Sequence, residues 1–374
     1  MRILYFTRDY TSHDHRFLVA LAETEHEVYS LRLEKRGAQR EDRPLPVGIR
    51  QLVWEGGFAP VERGGYRKFS KKLKKVISDV NPDVIHAGSV QTAALVVAIS
   101  GFKPLVTMSW GYDMLMDAES TPQMKKDTQF TLDRTSVFVC DCQAVANTAI
   151  RFGFNPSRIV KFPWGTDLMH FNPAGRRANR ESLQWGDDEF IVLSLRAWEP
   201  IYDVKTVVKG FIDAVRKQPA LRLVLLGGGS QANLLRQMLM QSGEMDKVHF
   251  GGRVGYDDLP KYYRSADLYL SASLTDGSSV SLMESLASGT PALLSEIPGN
   301  VEWIDADTGW FFPVGDWQTL SAKLLDAYHH CAQVRGIMRK NARTLAEQRA
   351  DWPKNFQQLL TAYEMAVRNK NHDI

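Results

Sequence analysis

Short apolar runs alternate with amphipathic helical patterns along the first half of the chain. The run ILYF from Ile3 precedes RFLVALAETEH, in which apolar residues recur at helical spacing, and EVYSLRL follows as a second strand. The same alternation continues through PDVIHAG, TAALVVAISG, PLVTMSW and SVFVCD. Strands that alternate with helices in this way predict a parallel sheet with helices on both faces.

The alternation starts again in the second half. Strand patterns occur in FIVLSLR, LRLVLLGGG, KVHFGG and DLYLSAS, and helical patterns occur in TVVKGFIDAVRKQ, NLLRQMLMQSG, VSLMESLASG and LSAKLLDAYHHCAQV. Between the halves, the stretch FPWGTDLMHFNPAGRRANRES contains prolines, glycines and charges. Such a composition is typical of an interdomain connection.

We therefore predict an α/β protein of two Rossmann-like, doubly wound domains. The first spans residues 1–168 and the second residues 169–352, and a C-terminal helix over residues 353–374 is expected to pack back on the first domain. Ligands bind outside the carboxyl ends of the strands in such sheets. We accordingly expect the two domains to face each other across a ligand-binding cleft.

Composition narrows the classes of function. The chain of 374 residues has a net charge of only +3, which does not favour nucleic acid as a partner. Cys140, Cys142 and Cys331 lack the spacing of a zinc site and are expected to be free thiols in a reducing compartment. The start MRILYF has no signal-peptide pattern, and ALVVAIS is too short to span a membrane. We expect a cytoplasmic protein that at most contacts the inner face of a membrane.

A small-residue loop in the second half is the strongest candidate for ligand binding. Asp276, Gly277, Ser278 and Ser279 follow a strand pattern, and a helical pattern begins at about Val280. Backbone N–H groups and the positive end of the helix dipole would converge there, which suits a nucleotide diphosphate. The alternative is an ordinary strand–loop–helix unit in which one of the two serines caps the helix.

Three charged residues extend this candidate site. Glu284 lies roughly two helical turns into the helix, where its carboxylate could accept hydrogen bonds from the hydroxyls of a ribose. Arg196 ends a strand at the same expected edge, where a cation would stabilise the charge on a leaving diphosphate. Lys205 would add a second cation. The alternative is that Arg196 and Lys205 are surface residues.

The second half resembles the donor half of glycosyltransferase family 4, a retaining family with the GT-B fold. The resemblance is carried by LSLRAWEPIYDVKTVVKGF, LVLLGGG, VHFGGRV, YYRSADLYLSAS, DGSSVSLMESLASGTP and GNVEWI, which occur in this order. It covers residues 160–352 well and the first half more loosely. Its most specific element is a pair of acids separated by seven residues, which here are Asp276 and Glu284.

The resemblance implies a role for each matching residue. Asp276 would contact the donor sugar, Glu284 would bind the ribose, and Arg196 would bind the diphosphate. Loop residues whose backbone would also bind the diphosphate are Gly277, Ser278, Ser279 and Val280. The stretch whose backbone would meet the base is Gly252, Arg253 and Val254.

The chain departs from the family pattern at three positions. Asp276 stands where a glutamate is usual, Ile201 stands where a lysine usually follows the arginine, and Trp110 stands where many members have a histidine. Lys205 is the expected substitute for the missing lysine. Trp110 is expected either to stack on the face of a sugar ring or to pack in the core.

The first half offers two candidates for orienting an acceptor and one for membrane contact. His86 ends the strand pattern PDVIH, and Asp113 follows PLVTMSW in the same loop as Trp110. Both side chains are expected at the carboxyl edge of the first sheet. The basic helical stretch 66–80 would either rest on an anionic membrane surface or form a solvated face.

Two motifs suggest other chemistry and are set aside. Asp305 and Asp307 have the spacing of a metal-binding pair, but they lie in a stretch that matches a surface loop of the family. The GGGS turn from Gly227 has no acid suitably placed for a ribose. We therefore expect no metal and no cofactor, with fixed cations and backbone dipoles stabilising the leaving group.

These features and the resemblance predict a glycosyltransferase of polysaccharide biosynthesis, and the resemblance implies that it transfers the sugar with retention of configuration. It would move a sugar from a nucleotide-sugar donor, by default a UDP-sugar, to a saccharide, a lipid-linked acceptor or a small molecule. Two alternatives stay open. One is a catalytically inactive protein that binds sugar nucleotides or acts as a scaffold, and the other is an epimerase or hydrolase of sugar nucleotides on the same fold.

Overall fold

The chain folds as two compact units. The computed structural model describes residues 1–35, 41–175, 180, 183 and 185–372. One unit comprises Met1–Phe162 with Lys354–Ile374, and the other comprises Pro163–Pro353. The sequence predicts a division at residue 168, whereas the structure divides the chain after Phe162. The reason is that the stretch from Pro163 already packs on the second unit, where Thr166 N donates to Ala350 O at 2.7 Å.

The sheet of the first unit consists, within the described residues, of seven parallel strands. Their order across the sheet is β3 (Arg50–Gln51), β2 (Glu27–Arg32), β1 (Arg2–Thr7), β4 (Val84–Gly88), β5 (Leu105–Met108), β6 (Val137–Cys140) and β7 (Ile159–Lys161). The strands β4, β5 and β6 are buried along their whole length. Burial of this kind is typical of parallel strands with helices on both faces.

Helices of the first unit cover this sheet. They are α1 (Ser12–Ala22), α2 (Tyr66–Val80), α3 (Leu95–Ser100), α4 (Tyr112–Leu115), α5 (Pro122–Leu132), α6 (Gln143–Arg151) and, from Lys354 onward, the C-terminal α15 (Trp352–His372). A capping box of Thr11 and Asp14 begins α1. Among the helices that the structure describes, none combines the length and the apolar character needed to cross a bilayer.

The second unit repeats the design with six parallel strands in its described part. Their order is β10 (Val248–Gly252), β9 (Leu221–Leu226), β8 (Phe190–Ser194), β11 (Leu268–Ser271), β12 (Ala292–Ser295) and β13 (Gly309–Phe312). Its helices are α7 (Val204–Lys217), α8 (Ala232–Ser242), α9 (Leu259–Ser265), α10 (Val280–Ala287), α11 (Pro298–Val301), α12 (Trp317–His329), α13 (Cys331–Gln333) and α14 (Arg339–Arg349). The prediction of two doubly wound α/β sheets is confirmed.

Strand order places the candidate residues. In the second sheet the order reverses between β8 and β11, and in the first sheet it reverses between β1 and β4. Ligands bind outside the carboxyl ends of strands at such reversals. Arg196 follows β8 and the loop 272–279 follows β11, so the topology brings both to one switch point.

Candidate functional site

The helix α10 begins directly after the small-residue loop. Ser279 occupies the N-cap position with extended backbone, but its hydroxyl makes no capping hydrogen bond. It accepts a hydrogen bond from Arg196 Nη1 at 2.9 Å instead. The Ser278 hydroxyl accepts from the indole nitrogen of Trp303 at 3.0 Å. The hydroxyl of Ser279 therefore binds Arg196 and does not cap α10.

Arg196 is fixed at this helix end by several contacts at once. Its Nη1 donates to the hydroxyls of Ser279 and Ser281, at 2.9 and 3.1 Å. Its Nη2 lies 2.8 Å from Asp276 Oδ2, and the two side chains are only 14% and 21% exposed. The guanidinium also lies 4.2 Å from the ring centroid of Tyr202. The structure thus brings the predicted residues Arg196, Asp276 and Ser279 together at the N-terminal end of α10.

Electrostatics keep this arginine charged. Burial alone would lower the pKa of Arg196, but the Asp276 carboxylate, followed by Tyr202 and Tyr269, outweighs that effect and the pKa is raised. A guanidinium that stays protonated at every accessible pH supplies a permanent positive charge at the end of α10.

The loop before α10 packs closely against Gly299 of α11. A Cβ atom at Gly299 would lie 2.3 Å from the carbonyl oxygen of Gly277 and 2.6 Å from that of Asp276. Only a residue without a side chain allows this close approach. Gly277 N in turn donates to Asp276 Oδ1 at 3.0 Å. A larger residue at position 299 would therefore displace the backbone of Asp276 and Gly277.

Glu284 lies farther along α10 and is 5% exposed. Tyr263, which is fully buried, donates its hydroxyl to Glu284 Oε2 at 2.9 Å. A hydrogen bond of this kind fixes the carboxylate's orientation. Sequence reasoning identified Glu284 but missed Tyr263, since a tyrosine on a neighbouring helix carries no recognisable spacing.

The structure does not place Lys205 in this cluster. Lys205 is exposed in the first turn of α7, because Val204, Val207 and Val208 turn the opposite face of the helix into the core. Among the contacts of the described residues, none joins Lys205 to Arg196. That Lys205 substitutes for the family's lysine stays a prediction.

The stretch predicted to meet a base follows β10. Gly252 has φ of +65° and accepts a hydrogen bond from Gly227 N at 2.6 Å. Arg253 is exposed, and Val254 is half-buried. Both line a cavity of about 300 Å³ whose other walls are Leu183, Gly255, Asp258, Lys261, Tyr262 and Ser265. This stretch lies at the carboxyl edge of the same sheet as Arg196.

His86 does not end its strand. β4 continues to Gly88, and His86 is fully buried, with its ring 4.6 Å from that of Tyr5 and its Nδ1 2.6 Å from the hydroxyl of Tyr363. Burial lowers the pKa of His86 to about 3, so the imidazole is neutral. The predicted position at the sheet edge is wrong, because Ala87 and Gly88 also pair with β1. His86 does not reach an acceptor from there.

Asp113 is also buried rather than open to a ligand. Its carboxylate accepts hydrogen bonds from Val90 N and Trp110 N, both at 3.0 Å, and from the Ser109 hydroxyl at 2.6 Å. Burial raises the pKa of Asp113 to about 6 despite these donors. The predicted role in orienting an acceptor is wrong. Asp113 instead ties the loop after β4 to the loop after β5.

Trp110 lies half-buried in that second loop. Its ring stacks on the imidazole of His13, with centroids 5.5 Å apart, and meets Phe17 edge-on at 6.0 Å. His13 belongs to the first turn of α1 and therefore lies at the carboxyl edge of the sheet. Trp110 thus combines packing with partial exposure at the switch point of the first unit.

The acidic pair Asp305 and Asp307 forms a turn. Asp305 Oδ1 accepts hydrogen bonds from Asp307 N at 3.0 Å and from the Thr308 hydroxyl at 2.9 Å. Within the described residues, no group of three or more histidine, cysteine, aspartate or glutamate side chains is arranged to hold a metal ion. The expectation that the reaction needs no metal stays a prediction.

The basic stretch 66–80 forms α2, as predicted. Its apolar residues pack on the first sheet: Tyr66, Phe69, Leu73, Val76 and Ile77. Its exposed face carries five cations: Arg67, Lys68, Lys71, Lys74 and Lys75. Phe58 and Val53, in the segment that precedes α2, are 70% and 89% exposed.

Two family models match the chain one after the other. The model of Glycosyltransferase Family 4 matches residues 12–170, and the model of Glycosyl transferases group 1 matches residues 175–345. Between them the two models match most of the chain.

Curated relatives agree with these matches. D-inositol 3-phosphate glycosyltransferase 2 of Catenulispora acidiphila is 26% identical over 230 residues, which are 58% of this chain and 54% of that protein. Alpha-monoglucosyldiacylglycerol synthase of Streptococcus pneumoniae is 30% identical over 136 residues, which are 35% of this chain and 31% of that protein. The chain thus spans about half or less of the length of these relatives.

A solved structure shows the same fold over nearly the whole chain. HepE from Anabaena, crystallised in complex with UDP and glucose, matches with a TM-score of 0.79 at 18% identity, over 97% of this chain and 99% of that one. The two successive family models, the parallel sheets of both units and this likeness agree. The chain belongs to glycosyltransferase family 4 and has the GT-B fold.

Proposed function

We propose that this protein transfers a sugar from a nucleoside diphosphate donor to a hydroxyl of an acceptor. One observation carries the proposal. Arg196 is held at the N-terminal end of α10, 2.8 Å from Asp276 and within hydrogen-bond distance of Ser279 and Ser281. A permanent cation beside a helix N-terminus favours a polyphosphate.

The other residues of the second unit complete the donor site. Glu284, oriented by Tyr263, would accept hydrogen bonds from the ribose hydroxyls, and Asp276 would contact the donor sugar. The backbone from Gly252 to Val254 would meet the base. The likeness to HepE, which was crystallised with UDP and glucose, supports UDP as the default nucleotide.

The chemistry that we propose is transfer with retention of configuration. The bond between the anomeric carbon and the diphosphate oxygen breaks, and the acceptor oxygen forms a new bond on the same face. The acceptor's proton passes to an oxygen of the leaving phosphate. Arg196 and the N–H groups of α10 stabilise the negative charge that develops there, so that the reaction proceeds without a metal. The acceptor is a saccharide, a lipid-linked sugar or a small polyol.

A panel of nucleotide sugars separates this proposal from its alternatives. The protein is incubated with UDP-, GDP- and ADP-sugars, with and without candidate acceptors, and nucleotide release is measured. Release that rises with an added acceptor supports transfer. Release that is independent of any acceptor would indicate a hydrolase, interconversion of donor sugars without release would indicate an epimerase, and binding without turnover would indicate a scaffold.

The chain provides a matched control for variants of Arg196. Arg222 forms an ion pair with Glu189 at 2.8 Å, and the two side chains are 14% and 21% exposed, as in the pair of Arg196 with Asp276. Arg222 is the second residue of β9 and lies at the opposite edge of the same sheet. Arg196→Ala should abolish acceptor-dependent release, whereas Arg222→Ala should retain it.

We further propose that the first unit contacts the anionic inner face of the cell membrane. Such a contact would suit an enzyme whose acceptor is lipid-linked. Five cations form the exposed face of α2, and Phe58 and Val53 present apolar surface in the preceding segment. Each lysine or arginine near an anionic surface contributes about 1 kcal/mol. The partial likeness to alpha-monoglucosyldiacylglycerol synthase is consistent with this partner.

Co-sedimentation with vesicles tests the membrane proposal. Binding to vesicles that contain phosphatidylglycerol, but not to vesicles of phosphatidylcholine alone, is expected to weaken as the salt concentration rises. The triple change Lys71→Glu, Lys74→Glu and Lys75→Glu should abolish it. The control variant carries Lys217→Glu and Lys261→Glu on the second unit, and it should bind vesicles as the wild type does. Equal binding of both variants would contradict the proposal.

A further inference from the structure

Tyr202 covers the guanidinium of Arg196. The distance from Arg196 Cζ to the centroid of the Tyr202 ring is 4.2 Å, well within the range of a cation–π contact. We propose that Tyr202 is a positioning residue that holds Arg196 ready for a nucleoside diphosphate, and that it compensates for the cation absent at position 201, where the chain has Ile201. This inference rests on the proposed function and deepens it.

The contacts of Arg196 surround it on its edges and on one face. Ser279 and Ser281 accept from Nη1, and Asp276 pairs with Nη2. The ring of Tyr202 lies against the guanidinium, with Cζ over the ring. Nε is buried and has no hydrogen-bond partner among the described residues. A guanidinium whose two Nη atoms are held in this way is positioned before a phosphate arrives.

The backbone places Tyr202 over Arg196. Residues Pro200–Tyr202 form a single helical turn, and Asp203 follows with φ of +41° as the N-cap of α7. The carbonyl oxygen of Ile201 accepts a hydrogen bond from Leu274 N at 2.9 Å. Since Leu274 lies two residues before Asp276, this bond joins the turn that carries Tyr202 to the loop that carries the ion-pair partner of Arg196.

The charge balance of the site explains why positioning matters. Ile201 stands where a second cation would be expected, and the nearby Lys205 is exposed on α7. Arg196 must then bind the diphosphate with little loss of side-chain freedom. Fixing a side chain before the ligand arrives reduces the entropy lost on binding. The aromatic ring does this without neutralising the guanidinium.

Calorimetric titration of the full chain with UDP and with uridine tests the inference. Tyr202→Leu should weaken UDP binding about tenfold, whereas Tyr202→Phe, which keeps the ring face, should stay close to wild type. Uridine affinity should not change in either variant, because uridine lacks the phosphates that Arg196 binds. If Tyr202→Leu does not fold, Tyr202→Met carries the same expectation.

A matched arginine–aromatic pair lies in the other unit. Arg134 Cζ lies 3.6 Å from the centroid of the Phe130 ring in α5. Phe130→Leu removes the same kind of contact and should leave UDP affinity unchanged. Adding Ile201→Lys to Tyr202→Leu should recover part of the lost affinity, since it restores a second cation beside Arg196.

The outcomes separate the inference from the proposed function. If wild type binds UDP but Tyr202→Leu binds it equally well, or loses uridine affinity in parallel, the positioning role is overturned while the proposed function stands. If wild type binds none of UDP, GDP and ADP, both are overturned.

Discussion

At the scale of single residues, the pair formed by Tyr263 and Glu284 links stability to ligand binding. Tyr263→Phe removes the hydroxyl that donates a hydrogen bond to Glu284 Oε2 at 2.9 Å. Loss of a buried hydrogen bond to a charged group should lower the free energy of unfolding by about 1–3 kcal/mol. We expect UDP to bind several-fold more weakly, and inorganic pyrophosphate, which lacks a ribose, to bind as before.

Tyr5 provides the control for that variant. Its hydroxyl donates to the buried carboxylate of Asp14 at 3.0 Å in the first unit. Tyr5→Phe should reduce stability, as measured by urea denaturation, without changing UDP affinity. An equal loss of UDP affinity in both variants would show that the effect of Tyr263 is one of stability alone.

His86 gives the unfolding free energy a specific dependence on pH. Its pKa is lowered to about 3 in the native protein, whereas an unfolded histidine titrates near 6.5. The unfolded chain therefore binds the extra proton first as the pH falls. The contribution of His86 to stability is complete above the unfolded pKa and declines below it by about 1.4 kcal/mol per pH unit.

The difference in unfolding free energy between wild type and His86→Gln isolates this effect. Between about pH 6 and about pH 4, this difference should change by about 1.4 kcal/mol per pH unit. The wild type loses stability relative to the variant as the pH falls. Asp14 and Asp113, whose pKa values are raised to about 6 by burial, act in the opposite direction but are present in both proteins. Parallel pH profiles would contradict a buried neutral imidazole.

The residues that we expect to bind the nucleotide sugar could be located from the sequence, whereas the residues that hold them in place could not. Arg196, Asp276 and Glu284 lie at strand ends and in one loop–helix unit, where spacing alone sets position. Tyr202 and Tyr263 act through packing across elements, and that packing leaves no local pattern in the sequence. The exposed position of Lys205 could not be predicted for the same reason, because it depends on which face of α7 packs into the core.

At the scale of elements, Asp113 joins the loops after β4 and β5. Asp113→Asn replaces one acceptor oxygen by an NH2 group, which then opposes the N–H group of either Val90, at the Oδ2 position, or Trp110, at the Oδ1 position. A buried donor left without a partner costs about 1–3 kcal/mol, so urea denaturation should show a loss of this size or slightly more. As a control, Asp127→Asn in α5, a half-buried position whose carboxylate accepts a hydrogen bond from Gln123, should change stability by less than about 0.5 kcal/mol.

The end of β4 could not be predicted from the pattern of apolar residues. The strand pattern predicted an end at His86, but Ala87 and Gly88 continue to pair with Phe6 and Thr7 of β1. Small residues carry no apolar alternation, so their pairing depends on the neighbouring strand. The two-residue β3, which pairs only with Tyr29 and Ser30 of β2, was missed for a similar reason.

At the scale of the whole molecule, each unit has its own buried core, and α15 contributes to that of the first. Tyr363 is fully buried and lies 2.6 Å from His86 Nδ1. Tyr363→Ala should destabilise the first unit by about 3–5 kcal/mol through the cavity it leaves. Hydrogen exchange should then show lost protection in β1 and β4, with β8 and β11 unchanged.

Phe211→Ala in α7 is the reciprocal change, since Phe211 belongs to the core of the second unit. It should reduce protection in β8 and β9 and leave β1 and β4 protected. Loss of protection in both units after either change would show that the two cores unfold as one. The sequence predicted two units but placed their division at residue 168, because backbone bonds such as that of Thr166 to Ala350 join distant parts of the chain.

UDP affinity tests the central claim most directly. Calorimetric titration should show binding to wild type and to Arg222→Ala with equal affinity. The double variant Arg196→Ala with Glu284→Ala should lose at least about a hundredfold, since two charged contacts of about 1.5–3 kcal/mol each are removed. If the double variant binds UDP as tightly as wild type, the site at the N-terminal end of α10 is not where the nucleotide binds.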